Sequence, residues 1–267
     1  MNKNRLGIPA FSYSVFSFFS KLTGFLRDLF LASFLGASFM ADIFFIALRL
    51  PYSFRRSFSE ETFNPAYIPI YGKYANLEDK NLQYEFTKKI LFSFLIPVIL
   101  FIIVVEIFMP ELLHFFMFTQ ENQIQQDMLI SVSRIIFPYL LVIIISAIFL
   151  GNLNANKKFS LSAGISSILN IVIVLSISVH SFINLEKIIY LAWSVIIAGI
   201  LQVLILFYSI NADFWKGFLR FDSRKTKIKE FFSLYWPTLI SSSLFQANLI
   251  IGMLVCSFET GAVSYLY

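Results

Sequence analysis

The reading turns on one stretch, residues 14–69, SVFSFFSKLTGFLRDLFLASFLGASFMADIFFIALRLPYSFRRSFSEETFNPAYIP. It has the length and apolarity of two consecutive membrane helices joined at Gly36, yet Lys21, Arg27, Asp28, Asp42 and Arg49 interrupt the apolar runs. Each such charge at mid-bilayer costs roughly 2.5 to 3.5 kcal/mol, so embedded charges face a bundle interior or a water-filled cavity and mark function. At about 100° per residue, Ser14, Ser17, Ser20, Lys21, Gly24, Arg27 and Asp28 share one side of the first helix, opposite Phe18, Leu22, Leu26 and Phe30. Asp42 and Arg49, seven residues apart, share a face of the second. Pro51 follows and removes one helix hydrogen bond, so a kink is expected there, before Arg55 and Arg56.

Working outward, apolar residues make up 58% of the 267 and mean hydropathy is +0.75. Runs of about twenty apolar residues recur, each enough to cross a hydrocarbon core of roughly 30 Å. The spans expected are 8–35, 39–57, 88–109, 129–150, 161–180, 188–210 and 232–256. This pattern defines an all-α, polytopic membrane helix bundle and excludes a β-barrel, whose segments alternate over short lengths. The +5 charge follows topology rather than a nucleic-acid surface, because Lys and Arg crowd the loops of one side. The positive-inside rule then places the N-terminus in the cytoplasm, and Lys21 argues against a cleaved signal peptide.

Several segments punctuate the spans. Residues 57–89 read as a cytoplasmic connection containing Pro65 and Pro69. Pro97 and Pro138 are expected to be hinges or static kinks. Glu106, Glu111 and His114 read as interfacial, and neither His114 nor His180 has metal-ligand partners at a recognisable spacing. The lone Cys256 reads as a buried apolar residue. Residues 211–230 mix Phe214, Trp215, Phe218 and Phe221 with Lys216, Arg220, Arg224 and Lys225, which suits either an interfacial helix or a positive-inside linker. A shift of 220 residues loosely aligns Asp28 to Gly36 with Asn248 to Cys256, as expected for the opening of a second repeat.

Specific runs carry a resemblance. S-K-L-T-G-F-L-R-D at Ser20 to Asp28, A-D-I-F-F-I-A at Ala41 to Ala47 and L-P-Y-S-F-R-R-S-F-S-E at Leu50 to Glu60 are similar to the N-terminal pattern of the lipid II flippase (MurJ/MviN) family. Later pieces agree in order, among them R-I-I-F-P-Y at Arg134 to Tyr139 and L-N-A-N-K-K-F-S at Leu153 to Ser160. The resemblance implies the first six-helix lobe of a two-lobe flippase over residues 1–210, a basic linker over 211–230 and the start of a truncated second lobe over 231–267. It implies a bacterial inner-membrane transporter serving peptidoglycan biosynthesis, with a lipid-linked diphosphate-sugar substrate, membrane lipids and a second lobe as partners, and no nucleic acid.

The same resemblance implies that Lys21, Arg27, Asp28 and Arg55 bind substrate, while Asp42, Arg49, Arg56 and Glu60 serve gating or charge pairing. Lys21 stands where the family usually has arginine, and Glu61 where it usually has glycine; lysine lacks the bidentate fork for phosphate. The alternatives are another exporter of the same superfamily, an inactive truncated copy, or embedded charges that merely pair, Lys21 with Asp28 and Arg49 with Asp42. An enzyme is not expected, since G-x-S-x-G, H-E-x-x-H and Asp-rich metal motifs are absent from the sequence, and neither metal nor cofactor is implied.

Overall fold

The computed structural model describes residues 4–36, 38–58, 60–76, 80–116, 123–180, 186–210, 214–215 and 226–256, without the side chains of 4–10, 54–58, 60–61, 76, 115–116 and 245–256. The described elements are helices: α1 (Asn4–Leu35), α2 (Phe39–Phe58), α3 (Glu60–Asn76), α4 (Lys80–Ile107), α5 (Met109–Phe116), α6 (Gln123–Ile136), α7 (Tyr139–Ala155), α8 (Ser160–Gly164), α9 (Ser166–Val179), α10 (Lys187–Ser209) and α11 (Ile228–Cys256). All seven expected spans fall largely on helix, three of them crossing a break, at Phe108, at Phe137 and Pro138, and at Ile165. By length and composition, Lys80–Ile107, Gln123–Ala155, Ser160–Val179 and Lys187–Ser209 are each long and apolar enough to cross a bilayer.

Prolines act in three ways. Pro51 and Pro97 lie inside α2 and α4 and leave both helices continuous. Pro138 separates α6 from α7: with no N–H to offer, it forces the chain into tighter bonds, Leu140 N–H to Phe137 O and Leu141 N–H to Pro138 O, both 3.0 Å. Pro65 and Pro69 correct the expectation of a plain connection over 57–89, because α3 runs straight through them. Phe63, Ala66, Tyr67, Ile70, Tyr71 and Tyr74 recur at helical spacing and are buried, while Pro65, Pro69 and Lys73 form the exposed stripe. The carbonyls left without a proline N–H therefore lie near the outward face.

α3 is the hub of one side of the bundle. It packs on α7 and α11. Rings of Phe63, Tyr67, Phe86, Phe94, Phe231 and Tyr235 interlock across α3, α4 and α11, with Tyr67–Phe86 at 5.4 Å and Phe94–Tyr235 at 5.2 Å. Beneath them Thr87 donates to Gln83 O, so Tyr67 donates to Thr87 at 2.6 Å and accepts from Asn152 Nδ2 at 3.4 Å. At the end of the bundle away from Gly36 Lys73 pairs with Glu230, which Lys227 also holds at 3.2 Å.

The other side of the bundle is built differently. α1 turns at Gly36, whose φ of +64° suits glycine, and Gly36 N–H bonds Ala32 O at 3.0 Å. From that turn α1 packs along α8 and α9, whereas α2 packs along α6 and α7. The two helices that carry the embedded charges thus part company, and a space opens between them. At the turn end, Phe34 meets the edge of His180 at 5.0 Å and lies 5.1 Å from Lys187 Nζ. Glu106 departs from the interfacial expectation: its Oε1 is buried without a hydrogen-bond partner, near Arg134. Glu111 and His114 are exposed, as expected.

Candidate functional site: an arginine-lined cavity between diverging helices

The space between α1 and α2 is a cavity of about 1310 Å³. α1 contributes Ser20, Gly24 and Arg27; α2 contributes Arg49 and Tyr52; α7, α9 and α10 close it with Tyr139, Ser146, Ser166, Asn170 and Gln202. Its described wall carries two guanidinium groups and no carboxylate. A preorganised cationic wall of this kind suits a polyanion that must shed hydration in the membrane.

Arg27 is held on two sides. Its Nε and Nη2 donate to Asp28 Oδ1 at 2.9 and 2.7 Å, and its Nη1 donates to Asn170 Oδ1 at 3.0 Å. Asn170 in turn donates from Nδ2 to Ser20 O at 3.3 Å and to Thr23 Oγ1 at 3.2 Å, so it fastens α9 to α1 and aims the guanidinium at once. The Asp28 side chain is 59% exposed and Arg27 25%, so this ion pair adds little net stability and its role is orientation. Deeper in the wall Tyr139 donates to Gln202 Oε1 at 2.9 Å, and Gln202 Nε2 donates to Ile165 O at 3.1 Å, at the break between α8 and α9. Gly199 keeps Tyr139 in place, since a Cβ there would lie 2.9 Å from the ring and 2.8 Å from Val142.

The expected site residues fall into groups. Arg27 and Arg49 line the cavity, and Asp28 grips Arg27 from beside it. Lys21 is exposed and stands outside the described wall, on the helix turn between Ser20 and Gly24. Asp42 is exposed in the first turn of α2, about 10.5 Å along the axis from Arg49, near the Gly36 turn and outside that wall. Arg55, Arg56 and Glu60 lie in α2 and α3, and their side chains fall outside the described residues, as do Lys216 to Lys225 of the linker. Reading the sequence missed Asn170, Tyr139 and Gln202; the available signal was a lone amide in each of two otherwise apolar spans.

A charged cavity within a helical, membrane-spanning bundle defines the class as a polytopic helical membrane protein. The family model for "Lipid II flippase MurJ" matches residues 31–267. A "Probable lipid II flippase MurJ" of Rhizobium tropici is 30% identical over 254 residues, covering 92% of this chain and 47% of the relative. Its counterpart in Rickettsia prowazekii is 31% identical, with 94% and 49% covered. The solved structure "Lipid II flippase MurJ, inward closed conformation" superposes with a TM-score of 0.71 at 25% identity, over 95% of this chain and 52% of that one. A MATE transporter mutant at 12% identity and TM-score 0.72 shares the fold. The chain belongs to the lipid II flippase MurJ family, and it spans about half the length of the curated relatives it matches.

Proposed function

We propose that this chain forms the cavity-bearing first lobe of a lipid II flippase in the bacterial inner membrane, with its N-terminus in the cytoplasm. Residues 1–210 form that lobe, 211–230 the linker and 231–267 the opening of a second lobe. The observation that carries the reading is the cavity wall, two arginines and several hydroxyls and amides without a carboxylate among the described residues.

The chemistry is transport rather than catalysis. Three of Arg27's five N–H groups are engaged by Asp28 and Asn170, and the other two point the charge toward a diphosphate entering the cavity. Arg49 meets it from the opposite helix, and Lys21 and Arg55 serve as further substrate-binding cations. Asp28 keeps the attraction releasable, while Asp42, Arg56 and Glu60 act on gating. The two lobes rock in alternating access as the lipid tail stays in the bilayer.

The test is binding of a lipid-linked diphosphate sugar to the purified chain, comparing wild type with Arg27→Ala, Arg49→Ala and the double variant. Each loss of a charge-assisted hydrogen-bond donor is expected to weaken binding by about tenfold to a hundredfold. A folded double variant that binds as tightly as wild type overturns the reading.

A further inference from the structure

A second opening, of about 270 Å³, lies at the opposite end of the bundle from Gly36, where α3 and α7 end, α4 begins and α10 ends. Its polar wall includes Tyr71, Lys80, Gln83, Asn152, Asn156 and Lys158, whose Nζ also donates to Ser209 O at 3.4 Å; it carries two cations and no carboxylate among the described residues. The position of Lys158 is built rather than incidental. α7 closes with Lys157 N–H on Asn154 O at 2.9 Å and Lys158 N–H on Leu153 O at 2.9 Å, which is a Schellman cap. Lys157 occupies the left-handed position usually given to glycine, with φ of 62°. Asn156 Nδ2 donates to Tyr71 Oη at 3.1 Å and to Asn152 O at 2.8 Å, fixing the amide at the pocket's edge.

The depth of the pocket points to its ligand. It shares its bundle end with Tyr208, which is 79% exposed, and with Trp215, which stacks on Phe207 at 3.8 Å and donates to Phe207 O. Such amphipathic rings sit at headgroup level. At about 270 Å³ the opening is smaller than typical cofactor sites of roughly 300 to 1,000 Å³, and a phosphate-bearing headgroup matches it better than a nucleotide.

We infer that the pocket formed by Lys80, Lys158, Asn156 and Tyr71 binds a phosphate group, supplied by the headgroup of an anionic phospholipid of the adjacent leaflet. The site is separate from the arginine cavity and does not depend on the transport proposal.

The experiment is native mass spectrometry of the purified chain titrated with phosphatidylglycerol, phosphatidylcholine or inorganic phosphate. The variants are Lys80→Gln/Lys158→Gln and, as a charge-matched control, Lys187→Gln/Lys229→Gln, both lysines of the control lying outside the pocket. Phosphatidylglycerol is expected to bind in preference to phosphatidylcholine. Loss of two lysine attractions of about 1 kcal/mol each is expected to weaken it about thirtyfold in the pocket variant alone. Binding of inorganic phosphate that displaces the lipid, and is lost in the same variant, supports the site with free phosphate as a source. Equal binding of the two lipids without any phosphate binding overturns the inference, as does equal loss in both variants.

Discussion

At the residue scale, Asn170 joins α9 to α1 through three hydrogen bonds and holds one of the two cavity arginines. Its replacement by alanine takes a partner from the half-buried Arg27 and leaves the buried Thr23 hydroxyl only its bond to Ser20 O, so Asn170→Ala is expected to lower stability by about 1 to 3 kcal/mol. A thermal melt in detergent measures it. Arg27→Lys separates charge from geometry: one ammonium does not span Asp28 and Asn170 as the planar fork does, and lipid diphosphate affinity should fall about tenfold although charge is kept. Lys157→Gly relieves a left-handed conformation and should stabilise the chain by about 1 kcal/mol in the same melt. Arg27 and Asp28 were legible in the sequence because charges in an apolar run are expensive. Asn170 was not, because a neutral amide costs less and pairs with a residue 143 positions away.

At the element scale, α3 shows how local rules and packing disagree. Pro65 and Pro69 argued for a connection, while the buried stripe from Phe63 to Tyr74 carried the helical period all along. Packing of that stripe on α7 and α11 outweighs two missing hydrogen bonds, since both fall on the exposed side. The α3 to α11 contact also carries a pH dependence. Hydrogen bonds from Lys73 and then Lys227 hold the Glu230 carboxyl below the usual carboxylate range. A carboxyl with a lowered folded pKa contributes stability above its unfolded value of about 4.3 and loses it as pH falls through the folded value. Amide protection factors at the start of α11, corrected for the intrinsic pH dependence of exchange, are therefore expected to fall below about pH 4, and to lose that fall in Glu230→Gln. Gly199→Ala probes α7 against α10: overpacking onto Tyr139 and Val142 should cost about 1 to 3 kcal/mol by the thermal melt.

At the scale of the whole molecule, the cavity follows from two helices that share a turn and then choose different neighbours. The helical character of the seven expected segments and their order were readable from hydropathy, because a bilayer demands continuous apolar helix, and four of them meet the length and apolarity of a membrane crossing. Their lateral neighbours were not, because exposed faces such as Phe18, Leu22 and Leu29 on α1 carry the same apolar residues as buried ones. The central claim is that the gap between α1 and α2 is a water-filled anion cavity. Its most direct test replaces Cys256 with serine and introduces single cysteines at Ser20, Ser166 or Phe18, followed by labelling with a membrane-impermeant charged maleimide in proteoliposomes. Ser20→Cys and Ser166→Cys are predicted to label faster than Phe18→Cys, which faces away from the wall, and to be protected by a lipid-linked diphosphate. Equal labelling at all three positions, or labelling that the diphosphate leaves unchanged, would contradict the account.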